Sequence, residues 1–231
     1  MIEAGAIEEL CRALALIPSA VLSDVLEAGG LRDQVLSYEL LRLRGDTFAG
    51  PAVCLSGSSA APPDAGRSAA IVFEADRAMF AGCVAVLATD RHRVGAATGG
   101  NTTASWAEHG CRAVVTDGLV RDLDAMTGLT VHAAGRTLPN TKGRWAYHAL
   151  MVPVRLPGQT TEWVTIAPGD IVHGDGDGVI VIPRHLARRV LADAGQTLSE
   201  ENRMMERIRG GVDREIVYRE ARRFNHIAMY A

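Results

Sequence analysis

Arg121 and Asp122 stand side by side after a glycine pair, Gly99-Gly100, with residues 101–120 between Gly100 and the arginine. A guanidinium offers a planar fork of donors that matches a carboxylate. A carboxylate is a hard oxygen donor suited to a divalent cation such as Mg²⁺. The glycines permit a turn closed to other residues. Asn101, Thr102 and Thr103 are candidate N-caps for a helix through Trp106 to His109. A helix start leaves N–H groups unpaired and carries partial positive charge, so it attracts a carboxylate or phosphate. Together these are the parts needed to bind a small oxo acid and polarise it.

The surrounding elements must position them. Gly110 is a helix-ending glycine. Cys111 to Thr116 is short and mostly apolar, the pattern of a covered strand. Asp117-Gly118 is a turn signal. Arg121 and Asp122 then fall just beyond the strand's C-terminal end, where open α/β sheets place ligands. Each feature alone has an ordinary reading: a connection, a turn, a solvated ion pair of little energy. The combination within one segment points to a site.

Elsewhere the chain alternates. Helices are expected over 3–15 and 19–28, around 69–80, and over 184–209 after Pro183. Strands are expected over 47–57 and 82–89, and near 129–134, 148–154, 163–166 and 178–182. Residues 56–66 read as a loop, as do residues 138–145, where Lys142 and Arg144 are basic. GDGDG at 174–178 lacks the spacing and closing glutamate of a calcium loop and reads as a turn between strands. A length of 231 residues with 48% hydrophobic content suits one compact domain, with a helical extension over about 184–231.

A net charge of −3 excludes a global basic footprint, so no nucleic-acid partner is expected. Arginines cluster after residue 203, but interspersed acids make that stretch a solvated face or subunit contact. No segment reaches membrane-spanning length, and the N-terminus lacks a signal-peptide pattern. Cys11, Cys54, Cys83 and Cys111 each lie in apolar surroundings without CxxC spacing, as reduced, packed thiols of a cytoplasmic protein do. The seven histidines form no HxH or HExxH pair; His92 is the one near the expected pocket. Dinucleotide and P-loop fingerprints are absent.

Three ordered motifs carry a resemblance over nearly the whole chain. They are the glycine turn with its twenty-residue spacer before Arg121-Asp122, FAGPAVCL at 48–55, and APGDIVHGDGDGVIVIP at 167–183. VLSDVLEAGG at 21–30 and the charged C-terminal helix add to it. The chain resembles the RraA-like family, which includes regulators of ribonuclease E activity and class II pyruvate aldolases.

The resemblance implies an α/β fold: a swivelling β/β/α layered domain with N-terminal helices and a long C-terminal helix. It implies a homotrimer or hexamer with pockets at subunit interfaces. Asp122 would be the direct ligand of Mg²⁺ or Mn²⁺. Arg121, with the backbone around Gly99, Gly100, Asn101 and Thr102, would bind the carboxylate of a small 2-oxo acid. The metal would polarise the 2-oxo group and stabilise the enolate, as a Lewis acid does. Retro-aldol cleavage and oxaloacetate decarboxylation both pass through pyruvate enolate, so one lyase site could serve both. Asp117 would brace the loop before Arg121. Glu200 or Glu201 would approach the metal of a neighbouring subunit through water. One departure stands out: where characterised aldolases of the family carry an acid, this chain has Gly100. Asp124 is an available carboxylate, read first as a helix first-turn acid. The alternative implied by the regulator branch is a non-catalytic protein acting through a protein partner.

Overall fold

The structure, a computed structural model, describes residues 4–59 and 65–230. Two helices open the chain, α1 (Ala4–Leu14) and α2 (Ser19–Ala28). Strands β1 (Leu41–Arg44) and β2 (Phe48–Ser58) follow, then helix α3 (Ala65–Ala78), β3 (Val84–Ala88), β4 (Ala96–Thr98) and helix α4 (Gly100–Glu108). Next come β5 (Ala113–Val120), a 3₁₀ turn (Leu123–Ala125), β6 (Thr130–Arg136), β7 (Ala146–Leu150), β8 (Val154–Pro157), β9 (Trp163–Ile166), β10 (Ile171–Gly174) and β11 (Val179–Ile182). The chain ends in the long helix α5 (Ala187–Arg209) and the short α6 (Arg214–Glu220).

Nine strands form one curled sheet in the order β1-β6-β5-β3-β2-β10-β11, with β4 beside β5 and β7 beside β2. The centre, β2-β3-β5-β6, is parallel. Strands β3 and β5 are almost wholly buried because both faces are covered, and β3 is apolar throughout. On one face Ala75 of α3, Met79 just beyond it and the fully buried Trp106 of α4 pack against Val53, Leu55 and Leu87. On the other, the β8–β9 hairpin places Val154, Leu156, Val164 and Ile166 against Ala52, Cys54, Val84 and Val86. A third core joins α1, α2 and α5 to β10 and β11. This is the mixed α/β fold with a curled sheet and a long C-terminal helix that the sequence implied.

Several expectations are corrected. Strands β1, β4 and β10, of three or four residues each, were not anticipated. The strand expected over 111–116 runs instead over Ala113–Val120. Asp117-Gly118 is therefore not a turn but a register irregularity inside β5. A Cβ on Gly118 would stand 2.7 Å from Thr89 Cγ2, so glycine there serves close strand approach. Part of the loop expected over 56–66 lies at 60–64, outside the described residues; β2 continues to Ser58 and α3 starts at Ala65. The GDGDG segment is a hairpin turn, closed by the Asp175 N–H donating to Gly178 O at 3.0 Å. All four cysteines are buried and free. No helix among the described residues is long and apolar enough to cross a membrane.

Candidate functional site

At the C-terminal rim of the parallel strands, β4, the start of α4 and the segment after β5 enclose a polar cleft of about 270 Å³. Gly99, Asn101, Thr102, Arg121 and Asp122 all line it. Residues the sequence separates by about twenty positions are thus brought together, because β4 and β5 run parallel with Thr98 beside Val120. The Arg121 N–H donates to Thr98 O at 3.2 Å and fixes the exit from β5 beside the entry to α4.

Gly99, not Asn101, Thr102 or Thr103, occupies the N-cap position, and α4 starts at Gly100. Thr103 is the first residue whose N–H bonds back, to Gly99 O at 3.1 Å. The amides of Gly100, Asn101 and Thr102 therefore precede the first intrahelical bond. The Gly100 N–H is directed at Asp122 Oδ2, 3.4 Å away. Asp122 itself adopts a left-handed backbone (φ 59°, ψ 36°), a conformation aspartate tolerates better than most residues. That turn aims its carboxylate back at the helix start. The same oxygen lies 3.4 Å from Arg121 Nε, and both side chains are partly exposed. Such a long, solvated contact holds little energy, so both groups are free to take ligands.

The glycine pair has a steric role. A Cβ on Gly99 would lie 3.0 Å from Asp122 Oδ2 and 3.1 Å from Arg121 Cγ. A Cβ on Gly100 would lie 3.0 Å from Ala125 Cβ and 3.2 Å from Asp122 Cβ. Gly100 is buried beneath the 3₁₀ turn, so the position where the resemblance places an acid is closed here by packing.

Sequence reasoning missed other residues of the cleft. Thr98, Asn140, Thr141 and Tyr147 line it. The polar loop 138–145 was visible, but Asn140 and Thr141 face the cleft where Lys142 and Arg144 do not. An isolated bridge between Ala96 and Asn140 holds the loop there. Burial, reinforced by Asp76, pushes the Tyr147 phenol above its ordinary range, so it acts as a hydrogen-bonding group and not as a base.

Asp117 is a correction. Its carboxylate is fully buried and binds the loop after β3, not the residues leading to Arg121. Oδ1 accepts from Thr89 N (2.6 Å) and Thr89 Oγ1 (2.9 Å), and Oδ2 from Arg91 N (2.8 Å). His92 is buried with both ring nitrogens engaged: Nε2 accepts from Gly95 N at 3.0 Å and Nδ1 faces Ser59 Oγ at 2.7 Å. Burial, then Arg93 and Arg144, lowers its pKa, so it is a neutral structural group. Neither Glu200 nor Glu201 lines the cleft of its own chain. Glu200 pairs with Arg203 at 2.9 Å, and Glu201 is held by Arg223, which also binds Asp24.

The donor set suits a hard, largely hydrated cation. One carboxylate opens to the cleft, and no thiol or imidazole lines it. Among the described residues no three His, Cys, Asp or Glu side chains gather into a metal-binding group. Mg²⁺ fits such a site, since it keeps most of its water and takes one or two carboxylates plus ligand oxygens.

The same architecture recurs in known proteins. A solved structure described as a novel cellulase from gut-associated microbes is 25% identical, covers 87% of this chain and 88% of that one, and superposes with a TM-score of 0.78. The Streptomyces coelicolor protein RraAS2, described as an unusual member of the RNase ES inhibitor RraA family, shares the fold (TM-score 0.74) at 24% identity over 87% of this chain and 98% of that one. An uncharacterized protein of Methanocaldococcus jannaschii is 31% identical over 105 residues, 45% of this chain; the chain spans about half the length of that curated relative (48%). A family model described as RraA-like, aldolase/RraA, matches residues 19–181, from the start of α2 through most of β11. With more than two thirds of its length matched, and the cleft wholly inside the matched region, the chain belongs to the RraA-like family.

Proposed function

We propose that this cleft binds a small 2-oxo acid with Mg²⁺ or Mn²⁺, and that the protein is a lyase releasing pyruvate. The observation that carries this reading is the convergence of the α4 start, Arg121 and Asp122 on one cleft. Asp122 would hold the ion, and the ion would supply Lewis-acid polarisation of the 2-oxo group. Arg121 exchanges its long contact with Asp122 for a two-pronged bond to the substrate carboxylate. The Asn101 and Thr102 amides, at the positive end of α4, add donors to the same group. Thr98, Asn140, Thr141 and Tyr147 form the wall that a longer substrate meets.

The chain's own residues favour decarboxylation of an oxaloacetate-like 3-carboxy-2-oxo acid over retro-aldol cleavage. In decarboxylation the bond to the leaving carboxylate breaks, its electron pair moves towards the 2-oxo oxygen, and water later returns a proton to carbon. A retro-aldol step also needs a base for the 4-hydroxyl proton. Gly100 has no side chain to serve, and Asp122 is the single carboxylate lining the cleft among the described residues. Glycoside hydrolysis requires a facing pair of carboxyl groups, so the cellulase description is not carried over. Glu200 of a neighbouring copy in a trimer or hexamer remains the candidate for a second carboxylate.

The absent acid at Gly100 supports a second reading, a regulator that binds a protein partner without turnover. Calorimetric titration with Mn²⁺ separates the two. The lyase reading expects saturable binding that Asp122→Ala abolishes. Absence of binding, or equal binding by Asp122→Ala, leaves the regulator reading.

A further inference from the structure

Helix α1 stands off the sheet and encloses a cavity of about 350 Å³ against it. Ile7, Cys11 and Ala15, spaced four residues apart along α1 and just past its end, form the helix side. Phe48, Ala49 and Pro51 of β2 form the sheet side. Ala81 and Gly82, ahead of β3, and Arg112, ahead of β5, complete it. The cavity thus lies at the N-terminal ends of the parallel strands. The Arg121–Asp122 cleft lies at their C-terminal rim, and the two share no lining residue.

Three observations mark this cavity as a ligand site. First, its volume exceeds the 270 Å³ of the Arg121–Asp122 cleft and falls in the range of small-molecule pockets, about 300–1,000 Å³. Second, the space is left by small residues: Gly5, Ala15, Ala49, Ala81 and Gly82 all line it. The walls between them are apolar. Phe48 and Cys11 are buried, and burial pushes the Cys11 thiol up to about 11, with the Arg112 charge opposing. Phe80 lines the cavity while 44% exposed, so apolar surface continues from the interior to solvent. Third, the charged lining is uneven. One acid, Glu8, stands against two arginines, Arg12 and Arg112. Glu8 is committed to Arg12, whose Nη2 donates to Oε1 at 3.0 Å. Arg112 reaches the same oxygen only at 4.0 Å, too far for a hydrogen bond. Its Nε lies 3.8 Å from the place a Cβ on Gly82 would take, which sets the guanidinium at the cavity wall.

We infer that this cavity binds a small amphipathic carboxylic acid, with its hydrocarbon body against Ile7, Cys11 and Phe48 and its carboxylate on Arg112. Water among these walls finds few hydrogen-bond partners, so an apolar body displaces it favourably. The planar guanidinium matches the carboxylate at the other end. A neutral hydrocarbon would leave that cation unused, and a short polar acid would leave the apolar walls wet.

The test is calorimetry of the full chain with butanoate, hexanoate and octanoate, and with octan-1-ol as the uncharged analogue. Saturable binding is expected, tightening by about tenfold for each two added carbons, as methylene burial gives. Octanoate should bind about tenfold more tightly than octan-1-ol, the value of a hydrogen bond to a charged group. Arg112→Gln, at a half-exposed side chain, should remove that preference and leave octan-1-ol binding unchanged. Ala15→Phe should fill the cavity and abolish octanoate binding. Arg121→Ala should leave the octanoate titration unchanged, which separates this site from the Arg121–Asp122 cleft. The inference is overturned by no saturable binding, by affinity that ignores chain length, by octan-1-ol binding as tightly as octanoate, by parent-like octanoate binding in Arg112→Gln or Ala15→Phe, or by loss of binding in Arg121→Ala.

Discussion

The first amide of helix α4, Gly100 N, lies 3.4 Å from Asp122 Oδ2, so the carboxylate proposed to hold a cation sits against the positive end of a helix. This contact couples the two halves of the site. The residues that permit it are the glycines, which leave no Cβ between helix start and carboxylate.

Gly99→Ala should therefore injure the site more than the fold. Its extended backbone is open to alanine, but the new methyl would press on Asp122 Oδ2 at 3.0 Å and on Arg121. We expect Mn²⁺ and pyruvate affinity to fall at least tenfold in calorimetric titrations, with the urea midpoint nearly unchanged. Parent-like affinity would show that the pair has room to shift.

Gly100→Ala should behave in the opposite way. Its methyl would meet Ala125 Cβ at 3.0 Å under the 3₁₀ turn, and overpacking of this kind costs about 1–3 kcal/mol. Urea denaturation measures the loss. A stabilised variant, as helix propensity alone would give, contradicts the packing described.

Asp117→Asn should destabilise the protein by about 2–4 kcal/mol, because hydrogen bonds to a buried charged group are worth about 1.5–3 kcal/mol each and this carboxylate accepts three. Denaturation measures the loss, and proteolytic sensitivity near Arg91 should rise with it. A variant as stable as the parent would show that the 89–91 loop holds its left-handed backbone, at Asp90 and Arg91, unaided.

Acid should weaken the fold through buried histidines. Burial pushes the pKa of His132 down to about 4, with the Leu40 carbonyl opposing, and burial also lowers that of His173. Both side chains are buried, and His132 Nε2 and both His173 nitrogens lack partners among the described residues. The unfolded chain takes up these protons near pH 6.5 and the folded chain only near pH 4 for His132. Stability present at neutral pH is therefore lost as pH falls from about 6.5 to 4, by about 3 kcal/mol for His132. Urea midpoints across that window should flatten in His132→Gln; an unchanged slope would assign the acid sensitivity elsewhere.

Much of this was legible because the signals are local. The Arg121-Asp122 pair, the glycines at the start of α4, the helix end at Gly110 and the hairpin turn at 174–178 all follow from residue type and spacing. What was hidden depends on residues far apart in sequence. Asp117-Gly118 has the composition of a turn, yet it is strand because Gly118 packs on Thr89 and Asp117 holds the neighbouring loop. Asn101, Thr102 and Thr103 look like caps, but the three-residue strand β4 delivers the chain to the helix two to four residues earlier, at Gly99. Asn140 and Tyr147 reach the cleft through pairings with Ala96 and Gly57 that no local pattern announces.

Arg121 and Asp122 are proposed to form a metal-dependent oxo-acid lyase site. Pyruvate release from oxaloacetate, and from 4-hydroxy-4-methyl-2-oxoglutarate, tests it most directly, measured with Mg²⁺ or Mn²⁺ and again with EDTA. The expected result is turnover of oxaloacetate above the metal-only background, loss with EDTA, a fall of at least a hundredfold in Arg121→Ala and Asp122→Ala, and weaker turnover of the aldol substrate. Turnover that survives either substitution, or none above background with either substrate, would contradict it.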